Sequence, residues 1–215
     1  MPQDNADGIE RAWSEELVTV GSRRLSRSEW EGEVMTAAAG WTAIAHDGTV
    51  FFFSFVWFVK DFRNTGSNNG LSCYGALMVI GVAEFFAASG VLGRGRRSRD
   101  ILVGISLLWL LGIALFGLML WSLNANAEHG PYLLLFLAAN YIPELFILYA
   151  LVGRMGRFTL AGARDRDPLS PLRSAWTVGG SVRAWAAYVM VWVTILLGGT
   201  LAAVAIFMPP SHGAL

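Results

Sequence analysis

The chain has 215 residues and a formal net charge of zero, with 54% hydrophobic, 13% aromatic and only 15% charged positions, and its mean hydropathy is +0.49. Average soluble domains carry about 25% charged residues, so this composition excludes an ordinary soluble domain and reads as a polytopic membrane protein. The single cysteine, Cys73, and the scattered histidines His46, His129 and His212 exclude an internal disulfide, an iron–sulfur cluster, a Cys/His copper or zinc set and a bis-histidine haem site held by this chain alone. No metal and no cofactor is expected.

Residues 1–35 read as a polar tail without an apolar h-region, so no cleavable signal peptide is expected. Ile9, Trp13, Leu17 and Val18 recur at roughly helical spacing beside Glu10, Arg11, Glu15 and Glu16. That is the pattern of a short amphipathic helix lying on a membrane surface, with a flexible tail as the alternative. A membrane domain follows over 36–208, and 209–215 form a last tail. Five apolar runs in it are long enough to cross a bilayer, at about 37–59, 71–92, 101–123, 131–152 and 184–208. The expected fold is therefore an all-α bundle of five transmembrane helices.

Charge placement orients the bundle. The N-terminal tail, the connection Gly93–Asp100 and the connection Gly153–Arg183 hold fourteen of the sixteen basic residues; only Lys60 and Arg63 fall on the other side. By the positive-inside rule the N-terminus is inside and the C-terminus outside, an alternation that requires an odd number of spans. The long connection before the last span carries Pro168, Pro171, Gly179 and Gly180, which predict irregular structure. Its arginines read as topology signals and contacts to anionic lipid. No P-loop, dinucleotide-binding, zinc-protease or paired-cysteine motif occurs, so no catalytic residue, nucleic-acid partner or soluble substrate is evident.

The first span, WTAIAHDGTVFFFSFVWFV over Trp41–Val59, holds His46 and Asp47 inside an otherwise apolar run. A charged side chain near the bilayer centre costs roughly 2.5–3.5 kcal/mol on insertion scales. A helix starting at Gly48 would give only twelve residues to Val59, roughly 18 Å, too short for a core of about 30 Å. The span must therefore reach back to about Ala37, which puts Asp47 near mid-depth, facing neighbouring helices and in contact with the fourth span near Asn140 or Glu144.

Two further acids fall inside spans, Glu84 in the second and Glu144 in the fourth. Asn140 precedes Glu144 by one turn on the same face, and Pro143 between them frees a backbone carbonyl. His46, Asp47, Glu84, Asn140 and Glu144 thus form a candidate buried polar cluster for protons, a cation or a polar headgroup. The plainer reading is that the acids are neutral or hydrogen-bonded packing groups, with Glu84 wetted near the inner end. His46 is the only counter-charge at that depth. Phe51, Phe52, Phe53, Phe55 and Trp57 read as lipid-facing surface or as an interface to a partner subunit, and Trp41, Trp57, Trp121, Trp176 and Trp185 sit near span ends as an interfacial belt would.

The order of these features resembles subunit III of cytochrome c oxidase, and more closely the five-span relatives associated with quinol oxidases and nitric-oxide reductase. In that family a small residue and an acid precede an aromatic run that ends in an arginine; here the segment is HDGTVFFFSFVWFVKDFR, with Asp47 in the acid's place and Arg63 slightly late. The basic hairpin GRGRRSRD between the second and third spans also fits. The family's fourth span usually carries H-G-x-H-V and its last W-H-F-V-D-x-x-W, whereas here NYIPEL and AYVMVWVT stand there. The chain would be a diverged member, its polar cluster reduced to Asp47 with Glu144 or Asn140.

The resemblance implies a non-catalytic accessory subunit of a respiratory-chain complex in a bacterial cytoplasmic (inner) membrane. Such a subunit packs against a haem–copper catalytic subunit, binds phospholipid and supports assembly or proton delivery, with no redox centre of its own. Other classes fit the same residues: a small homo-oligomeric channel or transporter with a polar path lined by Asp47, Glu84 and Glu144, a structural subunit of another membrane complex, or a membrane enzyme acting on lipids.

Overall fold

In hydrocarbon every backbone N–H and C=O must find its partner within its own segment, and a long apolar run achieves this as a helix. The computed structural model describes residues 17–20, 23–65, 71–122, 130–152, 169–178 and 180–207. Its elements are β1 (Leu17–Val20), β2 (Arg23–Ser26), α1 (Arg27–Thr65), α2 (Leu71–Leu92), α3 (Arg96–Ser122), α4 (Gly130–Val152), α5 (Ser170–Val178) and α6 (Val182–Phe207). Five of these helices are long and apolar enough to cross a membrane, over Arg27–Lys60, Tyr74–Leu92, Arg96–Leu115, Leu135–Val152 and Val182–Val204. This is the composition of an integral membrane protein. Large side chains such as Phe86, Leu108, Leu111, Leu118, Leu145 and Leu196 face outward, as lipid-facing residues do.

α1 departs most from expectation, with 39 residues. At 1.5 Å per residue it is about 58 Å long, against a hydrocarbon core of about 30 Å. It starts ten residues before Ala37 because Ser26 and Glu29 form a capping box. The Glu29 N–H donates to Ser26 Oγ at 3.3 Å and the Ser26 N–H donates to Glu29 Oε2 at 3.0 Å. Trp30 and Val34 are buried along this extension, and Ala38 and Ala39 just beyond it.

The expected surface helix through Leu17 and Val18 is corrected. These residues lie in β1, paired antiparallel with β2 so that Val18 stands opposite Leu25. Both apolar side chains are buried, while Thr19 and Arg24 are exposed, the period-two alternation of a half-buried strand. Ile9 and Trp13 lie outside the described residues.

The irregular connection before the last span is likewise corrected, because SPLRSAWTV forms α5. A proline in the first turn of a helix gives up only an N–H that has no intrahelical partner. Pro171 sits there, and Gly180 beyond the helix takes φ +78°, the left-handed conformation that glycine supplies at helix ends. Pro168 and Gly179 lie outside the described residues.

Among the described residues, α1 packs against α2, α4 and α6; α2 packs on α3, α3 on α4 and α4 on α6. Helices α1 to α4 thus close a four-membered ring, and α6 lies in the outer groove between α1 and α4. Gly198 permits that approach, since a β-carbon there would run into the Thr49 side chain, itself held by its hydroxyl donating to Ala45 O at 3.0 Å. The N-terminal end of α1 is tied to α5 and α6. Trp30 Nε1 donates to Ser174 Oγ at 2.8 Å, Ser181 Oγ donates to Glu31 Oε1 at 2.5 Å, and Arg27 donates to Gly180 O. Glu33, buried on the same extension, accepts from Arg94 Nη2 at 2.9 Å, which anchors the α2–α3 turn.

Candidate functional site

Each helix of the ring contributes to one buried polar cluster. α1 supplies His46 and Asp47, close to its midpoint; α2 supplies Glu84; α4 supplies Asn140 and Glu144, one turn apart. All five side chains are between 0 and 4% exposed. The third helix adds Trp109, whose ring meets the His46 imidazole edge-on with centroids 5.9 Å apart. The expected cluster is therefore assembled from the residues named for it, and Glu84, rather than being wetted near an end, is enclosed with the others.

The contacts within the cluster are distributed differently from expectation. It is His46 that reaches the fourth helix: Nε2 lies 3.2 Å from Asn140 Oδ1, and Nδ1 lies 3.0 Å from Glu144 Oε1. Asp47 sets its carboxyl beside that of Glu84 on α2 while staying within electrostatic reach of Glu144 on α4. On a helix, adjacent residues point about 100° apart, so a neighbouring pair divides its reach between two partner helices.

One hydrogen bond fixes the chemistry of the imidazole. The Asn140 amide is oriented by Nδ2 donating to Phe136 O at 2.7 Å, which turns Oδ1 toward His46. An amide oxygen only accepts, so His46 Nε2 carries the hydrogen. Nδ1 then faces the Glu144 carboxyl at 3.0 Å, and the pair is satisfied by a proton, on the ring or on the carboxyl, or by a metal cation between them. The 3.0 Å contact lies in ion-pair range without hydrogen-bond alignment: Nδ1 and both Glu144 oxygens lack a hydrogen-bond partner. Both Asp47 oxygens and Glu84 Oε1 are in the same condition. Unpaired buried polar atoms in such number are expensive in a low dielectric.

Matched against known protein families, curated proteins and solved structures, the chain finds no counterpart.

The cluster continues along α1, where Thr42 and Ser54 are also fully buried with unpaired hydroxyls. From Thr42 to Ser54 the polar positions cover about 18 Å of helix at 1.5 Å per residue. Ser106 and Trp109 on α3 add a buried hydroxyl and an indole N–H without partners. None of these four was singled out in the sequence, because Ser, Thr and Trp are ordinary in membrane helices and only enclosure distinguishes them. His129 and His212 lie outside the described residues. Of the aromatic belt, Trp176 and Trp185 are exposed and Lys60 Nζ lies 5.7 Å from the Trp57 ring centroid; the side chain of Trp121 is outside the described set.

Asp47 offers a direct test of the enclosure. Asp47→Asn keeps the shape and can donate to Glu84, so membrane abundance and unfolding temperature in detergent should stay near those of the wild type. Asp47→Leu removes a polar group set beside the Glu84 carboxyl and should destabilise by about 1–3 kcal/mol. Equal unfolding temperatures for both variants and the wild type would place Asp47 outside any cooperative polar cluster.

Proposed function

We propose that the chain is a cation- or proton-carrying membrane transporter whose occluded site is formed by His46, Asp47, Glu84, Asn140 and Glu144. The observation that carries this reading is the imidazole nitrogen of His46 facing the Glu144 carboxylate with no hydrogen-bonded partner, sealed among three further polar groups. Ionisable residues placed inside a membrane bundle at such cost are characteristic of ion and proton pathways. The buried hydroxyls of Thr42 and Ser54, above and below the cluster on α1, supply polar steps toward both helix ends. The enclosed ligands favour a carrier that opens alternately over a permanently open pore. The test is flux: purified protein in liposomes should pass protons or a metal cation down an imposed gradient, and liposomes without protein should not. Absence of any cation or proton flux overturns the reading.

The reading includes an orientation, with the N-terminus inside and the C-terminus outside a bacterial cytoplasmic membrane, supported by the distribution of basic residues. A reporter fused after Leu215 should behave as external and one inserted in Gly93–Asp100 as cytoplasmic. The reverse at either site sinks the orientation.

A second reading is the accessory subunit of a haem–copper oxidase-like complex. It is favoured by the outward ridge of Phe51, Phe52, Phe55 and Phe62 on α1, each at least 40% exposed, in the segment that carries the resemblance. Purification in mild detergent at native expression level separates the two: stoichiometric haem-bearing chains in the eluate favour the subunit, and a self-contained species the carrier.

A further inference from the structure

We propose that His46 Nδ1 and the carboxylates of Glu84 and Glu144 are the ligands of one divalent first-row transition-metal ion. The inference rests on the reading of this cluster as a cation site and adds which cation it takes. One ligand atom from each of His46, Glu84 and Glu144 lies within 4.8 Å of the others, and all three side chains are buried. Metal–nitrogen and metal–oxygen bonds of about 2.0–2.2 Å bring ligands around a common ion to separations within that limit.

Four features select the kind of ion. The first is nitrogen: an imidazole among carboxylates suits zinc, iron or manganese better than an alkaline-earth cation. Charge is the second, because a dication against the two carboxylates leaves that set neutral inside a low dielectric, whereas a monovalent ion leaves an uncompensated charge. The third is dryness. The unpaired oxygens of Asp47, Glu84 and Glu144 expose less than 1 Å² each, which disfavours magnesium, with its retained waters, and calcium, with its six to eight oxygen ligands. The fourth lies one shell out. A metal-binding imidazole normally donates its other N–H to a fixed acceptor, and His46 Nε2 does so to Asn140 Oδ1, which is itself locked by Phe136 O. The scarcity of cysteine and histidine in the sequence argues only against thiolate and multi-histidine sites. A single histidine with carboxylates from three different helices is invisible to that count.

The experiment uses the full chain in mild detergent, stripped with a chelator, and Co2+ alone as the probe. Equilibrium dialysis should find about one Co2+ per chain, displaced by Zn2+. X-ray absorption at the cobalt edge should find an imidazole nitrogen among oxygen ligands. Asn140→Ala should weaken binding by about 10–100-fold, as loss of an outer partner does, and His46→Gln and Glu84→Gln should weaken it further. Asp100→Asn, an exposed acid remote from the cluster, should leave binding unchanged. No stoichiometric Co2+, an oxygen-only shell, or equal binding by a Glu84→Gln/Glu144→Gln double variant overturns the proposal. Proton flux in a protein that takes up no stoichiometric Co2+ overturns the metal site while leaving the carrier reading intact. Stoichiometric cobalt in a protein that passes neither protons nor metal supports the site and overturns the carrier.

Discussion

On the carrier reading, Glu144→Gln should reduce cation or proton flux through reconstituted protein by roughly 10–100-fold. The change is nearly isosteric, so the packing of α4 in the ring is retained, but the carboxylate facing His46 Nδ1 at 3.0 Å is replaced by a neutral amide. Leaving the buried Nδ1 without its anionic neighbour costs about 1–3 kcal/mol, and each 1.4 kcal/mol is a factor of about ten in affinity. The measurement is dye-reported flux into liposomes under an imposed gradient, with Asp100→Asn as the surface control. Folding of the variant is checked by its elution profile and unfolding temperature. Flux at the wild-type level in a well-folded Glu144→Gln protein would remove Glu144 from the pathway.

Trp30→Ala should have the largest effect on stability, a loss of about 3–5 kcal/mol. Trp30 is the largest fully buried side chain among the described residues, at 1% exposure. It joins the protruding end of α1 to α5, where its indole donates to Ser174 Oγ at 2.8 Å and Ser174 Oγ donates on to Pro171 O at 2.7 Å. Trp30→Phe retains most of the ring volume and loses only the hydrogen bond, so it should fall between alanine and the wild type. Ser174→Ala, which leaves the indole N–H unpaired, should cost about 1–3 kcal/mol. Denaturant unfolding in detergent reads all three, and limited proteolysis over 169–178 should become faster in Trp30→Ala. A loss under about 1 kcal/mol for Trp30→Ala would mean that α5 is not held by this contact.

The helical class, the count of membrane-length helices and the identity of the cluster were legible in the chain itself. Hydropathy fixes where a backbone must be helical, because lipid offers no alternative partner for its amides. The cost of placing Asp47, Glu84 and Glu144 in that medium picks them out without knowledge of any neighbour. Pairing was not legible. That His46 reaches Asn140 and Glu144 while Asp47 turns to Glu84 depends on how α1 rotates against α2 and α4, and a helix presents several apolar faces that satisfy hydropathy equally well. The β-hairpin before α1 escaped because Leu17 and Val18 continue the helical spacing of Ile9 and Trp13, while a four-residue strand is too short for its two-residue period to stand out. α5 escaped because Pro171 and Gly180 mark the two ends of a helix as well as they mark a loop. Trp109, Thr42 and Ser106 became part of the site only through enclosure by the four-helix ring. Composition does not carry that property, because the same side chains facing lipid, or at a helix end, would be unremarkable.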